Sequence, residues 1–253
     1  MTALIDDAEL SDDAITREFR IWQRRRGHRY SIDDVATAWQ AARAQPNAQR
    51  YLDLGCGIGS VLLMVSWKLD HALVVGIEAQ PVSAALARRN LAHNGLEGRA
   101  AIVCGDLREE VLTLKDKFDL VSGTPPYLPL GTALVSPDPQ RAAARIELRG
   151  GIEDYLEAAA KVVASEGRVV MCADGRRPDR VTRGAEAAGL VPLARTDVLA
   201  RAGVEVPLFS VWTLAPRGAL NAEEWRRESL TLRDAQGQQT EKALQLRSFF
   251  GLG

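Results

Sequence analysis

The sequence is poor in the residues that build metal sites and disulfide frameworks. It contains only three cysteines and three histidines among 253 residues. The cysteines are Cys56, Cys104 and Cys172. Their number is odd and none has Cys-x-x-Cys spacing, so we expect buried free thiols. The histidines lie in separate segments without a partner four residues away, so no metal site is expected.

An excess of either charge is also missing. The net charge is −1 and the isoelectric point is near 6.3, which argues against a generally basic coat for nucleic acid and leaves only local patches. No apolar run approaches the roughly 20 residues that span a bilayer. The first 15 residues are acidic and unlike a leader peptide. These features predict a cytoplasmic protein.

What is present favours one α/β domain with terminal additions. Hydrophobic residues make up 46% and charged residues 26% of the chain, which suits a full core. Strands are predicted over 50–54, 72–78, 100–104, 118–122, 168–172, 190–199 and 207–214. Helical segments alternate with most of them, which is typical of a doubly wound parallel sheet.

The last predicted strand runs the other way. Only about eight residues separate Leu199 from Leu208, and a parallel crossover needs a dozen or more. We therefore expect a Rossmann-like, seven-stranded, mostly parallel sheet with one antiparallel strand. The domain is placed at 47–216, after an N-terminal extension over 1–46 and before a C-terminal tail over 217–253 that packs on it.

The two ends are predicted from weaker patterns. Residues 1–13 are acidic, lack periodicity and are expected to be mobile. A short ribbon is expected with a strand over 18–23, a turn over 24–27 and a return over 28–30. Ser31 can cap a helix that begins near Asp33. The tail predicts a helical turn over 223–227, a hairpin over 230–240 and a helix over 241–249.

A glycine-rich turn joins the first predicted sheet strand to a helix. Its glycines, Gly55, Gly57 and Gly59, let the backbone turn tightly and a ligand approach the free N–H groups of the helix. A dinucleotide fingerprint would have its third glycine at Ser60. Asp53 would repel a pyrophosphate and attract an ammonium group. The alternative is a structural turn that binds nothing.

A second unusual segment follows the fourth predicted strand. Thr124 precedes Pro125 and Pro126, which fix the backbone and can hold their carbonyls as rigid acceptors. Tyr127 offers a flat face to a planar substrate. The alternative is that the prolines only shape a loop.

The glycine-rich turn resembles motif I of the class I S-adenosylmethionine methyltransferases, written Asp-x-Gly-x-Gly-x-Gly. The resemblance implies S-adenosylmethionine as cofactor, with Glu78 on the ribose hydroxyls, Asp106 on the adenine amino group and Leu107 donating to the adenine ring. It also suggests that Tyr30 and Asp33 or Asp34 close over the cofactor; as an alternative, these two acids only face the helix dipole. The implied cofactor-binding residues are Tyr30, Asp33, Asp53, Gly55, Cys56, Gly57, Gly59, Glu78, Asp106, Leu107 and Thr124.

The second segment resembles the Asn/Asp-Pro-Pro-Tyr motif of amino-group methyltransferases. Over about residues 17–215 the chain is similar to the tRNA1(Val) adenine-37 N6-methyltransferase family, which implies methyl transfer to an adenine N6 in tRNA by Thr124, Pro125, Pro126 and Tyr127. Thr124 departs from the motif, because its hydroxyl is shorter than an amide and can also donate. Two alternatives therefore stay open, a protein glutamine amide as acceptor and a silent homologue that only binds cofactor or RNA.

Arginines provide the candidate RNA contacts. The dense basic turn contains Arg24, Arg25, Arg26 and Arg29, and the second candidates are Arg141, Arg145 and Arg149. Such clusters can neutralise phosphates, although a run of charge is more often a solvated face.

Overall fold

The structure, a computed structural model, describes residues 6–132, 134–219 and 225–252. The strands are β1 Leu10–Ala14, β2 Arg20–Arg24, β3 Arg50–Leu54, β4 Leu73–Glu78, β5 Ala100–Cys104, β6 Phe118–Gly123, β7 Val163–Ala173, β8 Leu190–Leu199, β9 Phe209–Pro216 and β10 Arg226–Thr231. The helices are α1 Ile32–Ala44, α2 Ser60–Lys68, α3 Pro81–His93, α4 Leu107–Glu110, α5 Pro139–Arg145, α6 Ile152–Val162, α7 Pro178–Ala187 and α8 Glu241–Phe249.

The main sheet has the order β10-β8-β9-β7-β6-β3-β4-β5. Only β9 runs antiparallel, pairing with β7 on one side and β8 on the other. This confirms the predicted doubly wound fold and its antiparallel strand. From β3 the chain builds outward to β4 and β5, then returns to place β6 on the other side of β3. A ligand crevice is expected at this switch point, beyond the carboxyl ends of β3 and β6.

Helices cover both faces of the sheet. Helices α1, α2 and α3 contribute to one buried apolar cluster, and α6 and α7 contribute to the other. The five residues from Val61 to Val65 are each at most 2% exposed, so α2 is apolar on all sides and is buried. That burial fixes the helix that follows the glycine-rich turn.

An eighth strand extends the sheet beyond the predicted seven. β10 pairs in parallel with β8 and so covers an edge that would otherwise present unpaired backbone groups. The helical turn predicted over 223–227 is therefore wrong at Arg226 and Arg227, while 223–224 lie outside the described residues. The predicted turn near Asp234 is confirmed, since Gly237 N donates to Asp234 O at 3.2 Å. The predicted helix 241–249 coincides with α8.

The N-terminal ribbon differs from the prediction. Its partner strand is β1, from the acidic segment expected to be mobile, and not residues 28–30. The acids of β1 are used in ion pairs: Asp12 with Arg20 at 2.8 Å and Asp13 with Arg29 at 3.1 Å. Leu10 is buried at 2% exposure. Charge pairing and one buried leucine thus order a segment that lacks an apolar pattern.

None of the helices in the described part of the chain combines the length and the apolar character needed to cross a membrane.

Candidate cofactor and acceptor site

A cavity opens at the switch point between β3 and β6. Nine of the predicted site residues line it: Tyr30, Gly55, Cys56, Gly57, Glu78, Asp106, Leu107, Thr124 and Pro126. Five predicted residues lie outside its lining: Asp33, Asp53, Gly59, Pro125 and Tyr127. The structure therefore brings most of the predicted site residues together in one crevice. Thr124 and the glycine-rich turn line the same cavity.

The glycine-rich turn depends on two different properties of glycine. Gly55, Gly57 and Gly59 all have positive φ, from +57° to +89°, which side chains rarely adopt. At Gly55 a Cβ atom would also lie only 2.1 Å from the hydroxyl of Tyr155, whereas at Gly57 it would meet nothing within 4 Å. The turn therefore packs tightly on α6 at Gly55 and is open at Gly57, as ligand approach requires.

Glu78 ends β4 and supports this turn. Its Oε2 accepts from Gly57 N at 2.9 Å and its Oε1 accepts from Gln80 N at 2.7 Å. The carboxyl is 6% exposed and burial raises its pKa. Each oxygen keeps a further lone pair, so Glu78 can hold the turn and accept from ligand hydroxyls as well.

Asp53 lies behind the turn, in the interior of the sheet. Its Oδ1 accepts from Ser122 Oγ at 2.5 Å, and Ser122 Oγ also contacts Tyr51 Oη at 2.7 Å. Its Oδ2 is buried and has no hydrogen-bond partner among the described residues. Burial raises the pKa of Asp53 to about 7. A positive group placed here would relieve an unfavourable buried charge.

Asp34 joins Asp53 on this side, although the prediction chose Asp33. Asp34 lines the cavity, is 7% exposed and accepts from Ser31 N at 2.9 Å. Burial, with Asp33 beside it, raises the pKa of Asp34 well above its usual value. Asp33 points elsewhere, because its Oδ2 accepts from the hydroxyl of Tyr127 at 3.1 Å.

Asp106 caps the short helix α4. It accepts from the backbone N and the guanidinium of Arg108, at 2.7 to 3.0 Å. The Arg108 guanidinium lowers the pKa of Asp106. Asp106 is therefore an ionised acceptor at the cavity wall, next to the apolar side chain of Leu107.

The cavity has further lining residues that the sequence reasoning missed, among them His28, Ser60, Gln140 and Tyr155. Gln140 is 2% exposed, accepts from Arg24 Nη1 at 3.2 Å and donates to Ser83 Oγ at 3.1 Å. Asp138-Pro139 is a helix-start signal that could have located it. Tyr155 carries no such signal, since it reads as an ordinary core position of α6.

The predicted basic residues divide into two groups. Arg24 pairs with Asp138 at 2.9 Å, Arg29 pairs with Asp13, and Arg141 donates to the carbonyls of Arg26 and Gly27. The contacts of Arg24 and Arg141 fasten α5 to the turn after β2, and the pair of Arg29 with Asp13 joins that segment to β1. By contrast, Arg25, Arg26, Arg145 and Arg149 are exposed and form no ion pair with a described residue.

Comparison with known proteins agrees with this geometry. Residues 31–133 match the family model described as methyltransferase small domain. A tRNA1(Val) (adenine(37)-N6)-methyltransferase of Porphyromonas gingivalis is 33% identical over 126 residues, 49% of this chain and 49% of that protein. A release factor glutamine methyltransferase of Geobacter sulfurreducens is 34% identical over 113 residues, 44% of this chain and 38% of that protein. The chain thus spans about half or less of the length of these two curated relatives.

Solved structures agree on the fold. A predicted O-methyltransferase from Agrobacterium tumefaciens superposes with a TM-score of 0.63 at 17% identity, covering 88% of this chain and 98% of that one.

The matched family and the fold imply S-adenosylmethionine as the cofactor. The residues that line the cavity fit it, together with Asp53 directly behind the glycine-rich turn. The orphaned Oδ2 of Asp53, with the buried carboxyl of Asp34 nearby, suits an ammonium group. Glu78 suits hydroxyls, and Asp106 with Leu107 suits a heterocycle that carries an amino group. This chain has the class I methyltransferase fold, and its residues 31–133 match the model of the methyltransferase small domain.

Proposed function

We propose that the protein is an S-adenosylmethionine-dependent N-methyltransferase that modifies the exocyclic N6 of an adenine in tRNA. One observation carries the proposal. β3 and β6 are neighbours whose register pairs Leu54 with Gly123, so the glycine-rich turn and Thr124-Pro125-Pro126-Tyr127 leave the sheet side by side. A donor site and an acceptor site for an amino group thereby meet at one cavity.

On the donor side, the bound cofactor supplies the methyl group. Asp53 and Asp34 offer negative charge to its ammonium, and Glu78 offers acceptors to its ribose. The glycine-rich turn lets the backbone approach because it projects no Cβ into the cavity at Gly57.

On the acceptor side, two oxygens hold the amino group. An exocyclic amine is a weak nucleophile, because its lone pair delocalises into the ring or carbonyl. The Pro125 carbonyl and the Thr124 hydroxyl accept hydrogen bonds from its two N–H groups, and this arrangement directs the nitrogen lone pair toward the methyl group. Preorganised acceptors act without reorganisation at the moment of transfer. Tyr127 stacks on the base, which must leave its helix stack to reach the cavity.

Thr124 is the residue on which the proposal is most directly tested. Labelled-methyl transfer to total tRNA is measured for wild type, Thr124→Val and Thr124→Asn, with cofactor affinity measured by calorimetry. Thr124→Val removes the acceptor, and we expect transfer at saturating cofactor to fall by roughly 100-fold. Full transfer by Thr124→Val would remove Thr124 from the mechanism. If wild type is inactive and Thr124→Asn active, the protein is a silent homologue.

A protein glutamine amide is the second candidate acceptor. The similarity to a release factor glutamine methyltransferase favours it, and an amide nitrogen needs the same two acceptors. Labelled methyl incorporated into an extract decides between them. Label removed by ribonuclease supports tRNA, and label removed by protease supports a protein substrate.

A further inference from the structure

The hydroxyl of Tyr127 is held at two points away from the cofactor cavity. It donates to Asp33 Oδ2 at 3.1 Å and lies 2.7 Å from Cys172 Sγ. Asp33 belongs to the first turn of α1, and Cys172 belongs to β7, far along the chain. Tyr127 therefore bridges α1 and β7 through side chains that do not line the cofactor cavity.

The direction of these hydrogen bonds follows from the groups themselves. A phenol has one O–H to donate, and the carboxylate of Asp33 can only accept. The thiol of Cys172 must therefore donate to the phenol oxygen. Burial keeps both groups protonated, because it raises the pKa of Tyr127 and the pKa of Cys172 well above their usual values. The result is an ordered chain from Cys172 through Tyr127 to Asp33.

Both anchors are themselves fixed. Cys172 is fully buried in the sheet at 0% exposure. Asp33 also accepts from Asp34 N at 3.2 Å, and its own carbonyl accepts from Thr37 Oγ1 at 2.7 Å. The backbone before Tyr127 is restrained by two prolines. The ring is thus held at both of its ends.

We propose that Asp33 and Cys172 are positioning residues that orient Tyr127 toward the methyl acceptor. This inference rests on the proposed function, in which Tyr127 stacks on a planar substrate. The two adjacent carboxyl groups then have different roles. Asp34 faces the cofactor cavity, and Asp33 acts on the acceptor side through Tyr127. The sequence expectation that Asp33 binds cofactor is replaced by this assignment.

A double-mutant cycle tests whether Asp33 acts through Tyr127. The variants are Asp33→Ala, Tyr127→Phe and their combination, with Cys172→Ala for the second anchor. Tyr127→Phe removes only the hydroxyl and keeps the ring. We expect each single change to lower kcat/KM for methyl transfer by about tenfold, and the double variant to fall little further than either single variant.

Cofactor affinity supplies the contrast. Calorimetry with S-adenosylmethionine should give wild-type affinity for Asp33→Ala and weaker binding for the neighbouring Asp34→Asn. Weaker binding by Asp33→Ala with no effect of Tyr127→Phe would return Asp33 to the cofactor site. Reductions that multiply across the cycle would show independent roles and overturn the assignment.

Denaturation of the same variants tests this inference separately from the proposed function. If the wild type transfers no methyl group to any RNA or protein, the proposed function fails, yet the anchoring can still be measured. Denaturation midpoints of Asp33→Ala and Tyr127→Phe should then fall by amounts that do not add in the double variant. Additive shifts would mean that the two side chains are uncoupled, which contradicts the positioning role.

Discussion

The carboxyl of Asp53 is in an environment that disfavours its charge. Its pKa is raised from 3.8 to about 7 by burial, so the folded chain binds a proton there more tightly than the unfolded chain does. Between those two pH values the folded state holds the extra proton, and the stability that this proton provides is lost as pH rises toward and through about 7. The proposed role of Asp53 in holding the cofactor's ammonium thus uses a group that weakens the fold at neutral and alkaline pH.

Asp53→Asn removes this titration. The melting temperature of the variant should therefore rise relative to that of wild type as the pH goes from 5 to 8. We expect a gain of a few degrees, because 1 kcal/mol moves the melting temperature of a chain of this size by roughly 2–4 °C. Calorimetry should show weaker S-adenosylmethionine binding, because the ammonium loses its buried anion.

A matched control is Glu97→Gln, at an exposed acid in the turn after α3. It should change neither the pH dependence nor the cofactor affinity. A difference between wild type and Asp53→Asn that stays constant from pH 5 to 8 would contradict the raised pKa.

Sequence reasoning succeeds at strand ends and fails on helix faces. Glu78, Gly55 and Gly57 could be located because a strand end points to the crevice whatever its neighbours are. Asp33 and Asp34 could not be separated, since adjacent residues on a helix point about 100° apart. Which of the two faces the cofactor depends on how α1 is rotated against β7, and the sequence does not state that rotation.

At the scale of elements, one arginine connects α6 and α7 to the acceptor segment. By acceptor segment we mean residues 124–128, which are proposed to hold the methyl acceptor. Arg180 of α7 contacts Glu147 at 2.6 Å and Glu153 of α6 at 2.5 Å. Glu147 N in turn donates to Leu128 O at 2.9 Å, directly after Tyr127. The guanidinium and the Glu147 carboxylate are 19% and 12% exposed, so their charges are only partly screened by solvent.

Arg180→Ala should therefore destabilise the fold and loosen the acceptor segment. Removing one partner leaves the mostly buried Glu147 carboxylate unpaired, which costs about 1–3 kcal/mol. Arg183→Ala on the same helix is the control, because its pair with Asp179 is 73% and 65% exposed and such pairs contribute little. Thermal denaturation of both variants checks the prediction, and equal melting temperatures would refute it.

The two strands that the sequence analysis missed share one physical cause. β1 and β10 are polar and each buries a single residue, Leu10 and Leu230. Without alternating apolar positions a strand leaves no periodic signal. β1 is ordered by ion pairs with β2 and the segment after it, and β10 by backbone pairing along the edge of β8. Neither ion pairing nor backbone pairing along an edge leaves a periodic pattern in the local sequence.

At the scale of the whole molecule, the net charge is only −1. Any positive charge that binds RNA must therefore be concentrated in a local patch on the surface. Arg141 fastens α5 to the turn after β2, which places the exposed Arg26 and Arg145 on connected segments beside the cavity. The sequence could identify the basic turn but not which arginines are engaged, because the partner of Arg24 is Asp138, far along the chain.

The last prediction tests this basic surface. If tRNA is the substrate, Arg26→Ala with Arg145→Ala should weaken tRNA binding and lower the salt dependence of its affinity by about one unit of slope for each phosphate that is no longer neutralised. Cofactor affinity should not change, because neither side chain lines the cavity. Lys115→Ala is the control for removal of a positive charge, since Lys115 precedes the amino end of β6, whereas the cavity lies beyond the carboxyl ends of the strands. Filter binding of tRNA at several salt concentrations measures both effects. An unchanged salt slope in the arginine variant would place the RNA-binding surface elsewhere, whereas an equal reduction per charge in both variants would indicate attraction to overall charge alone.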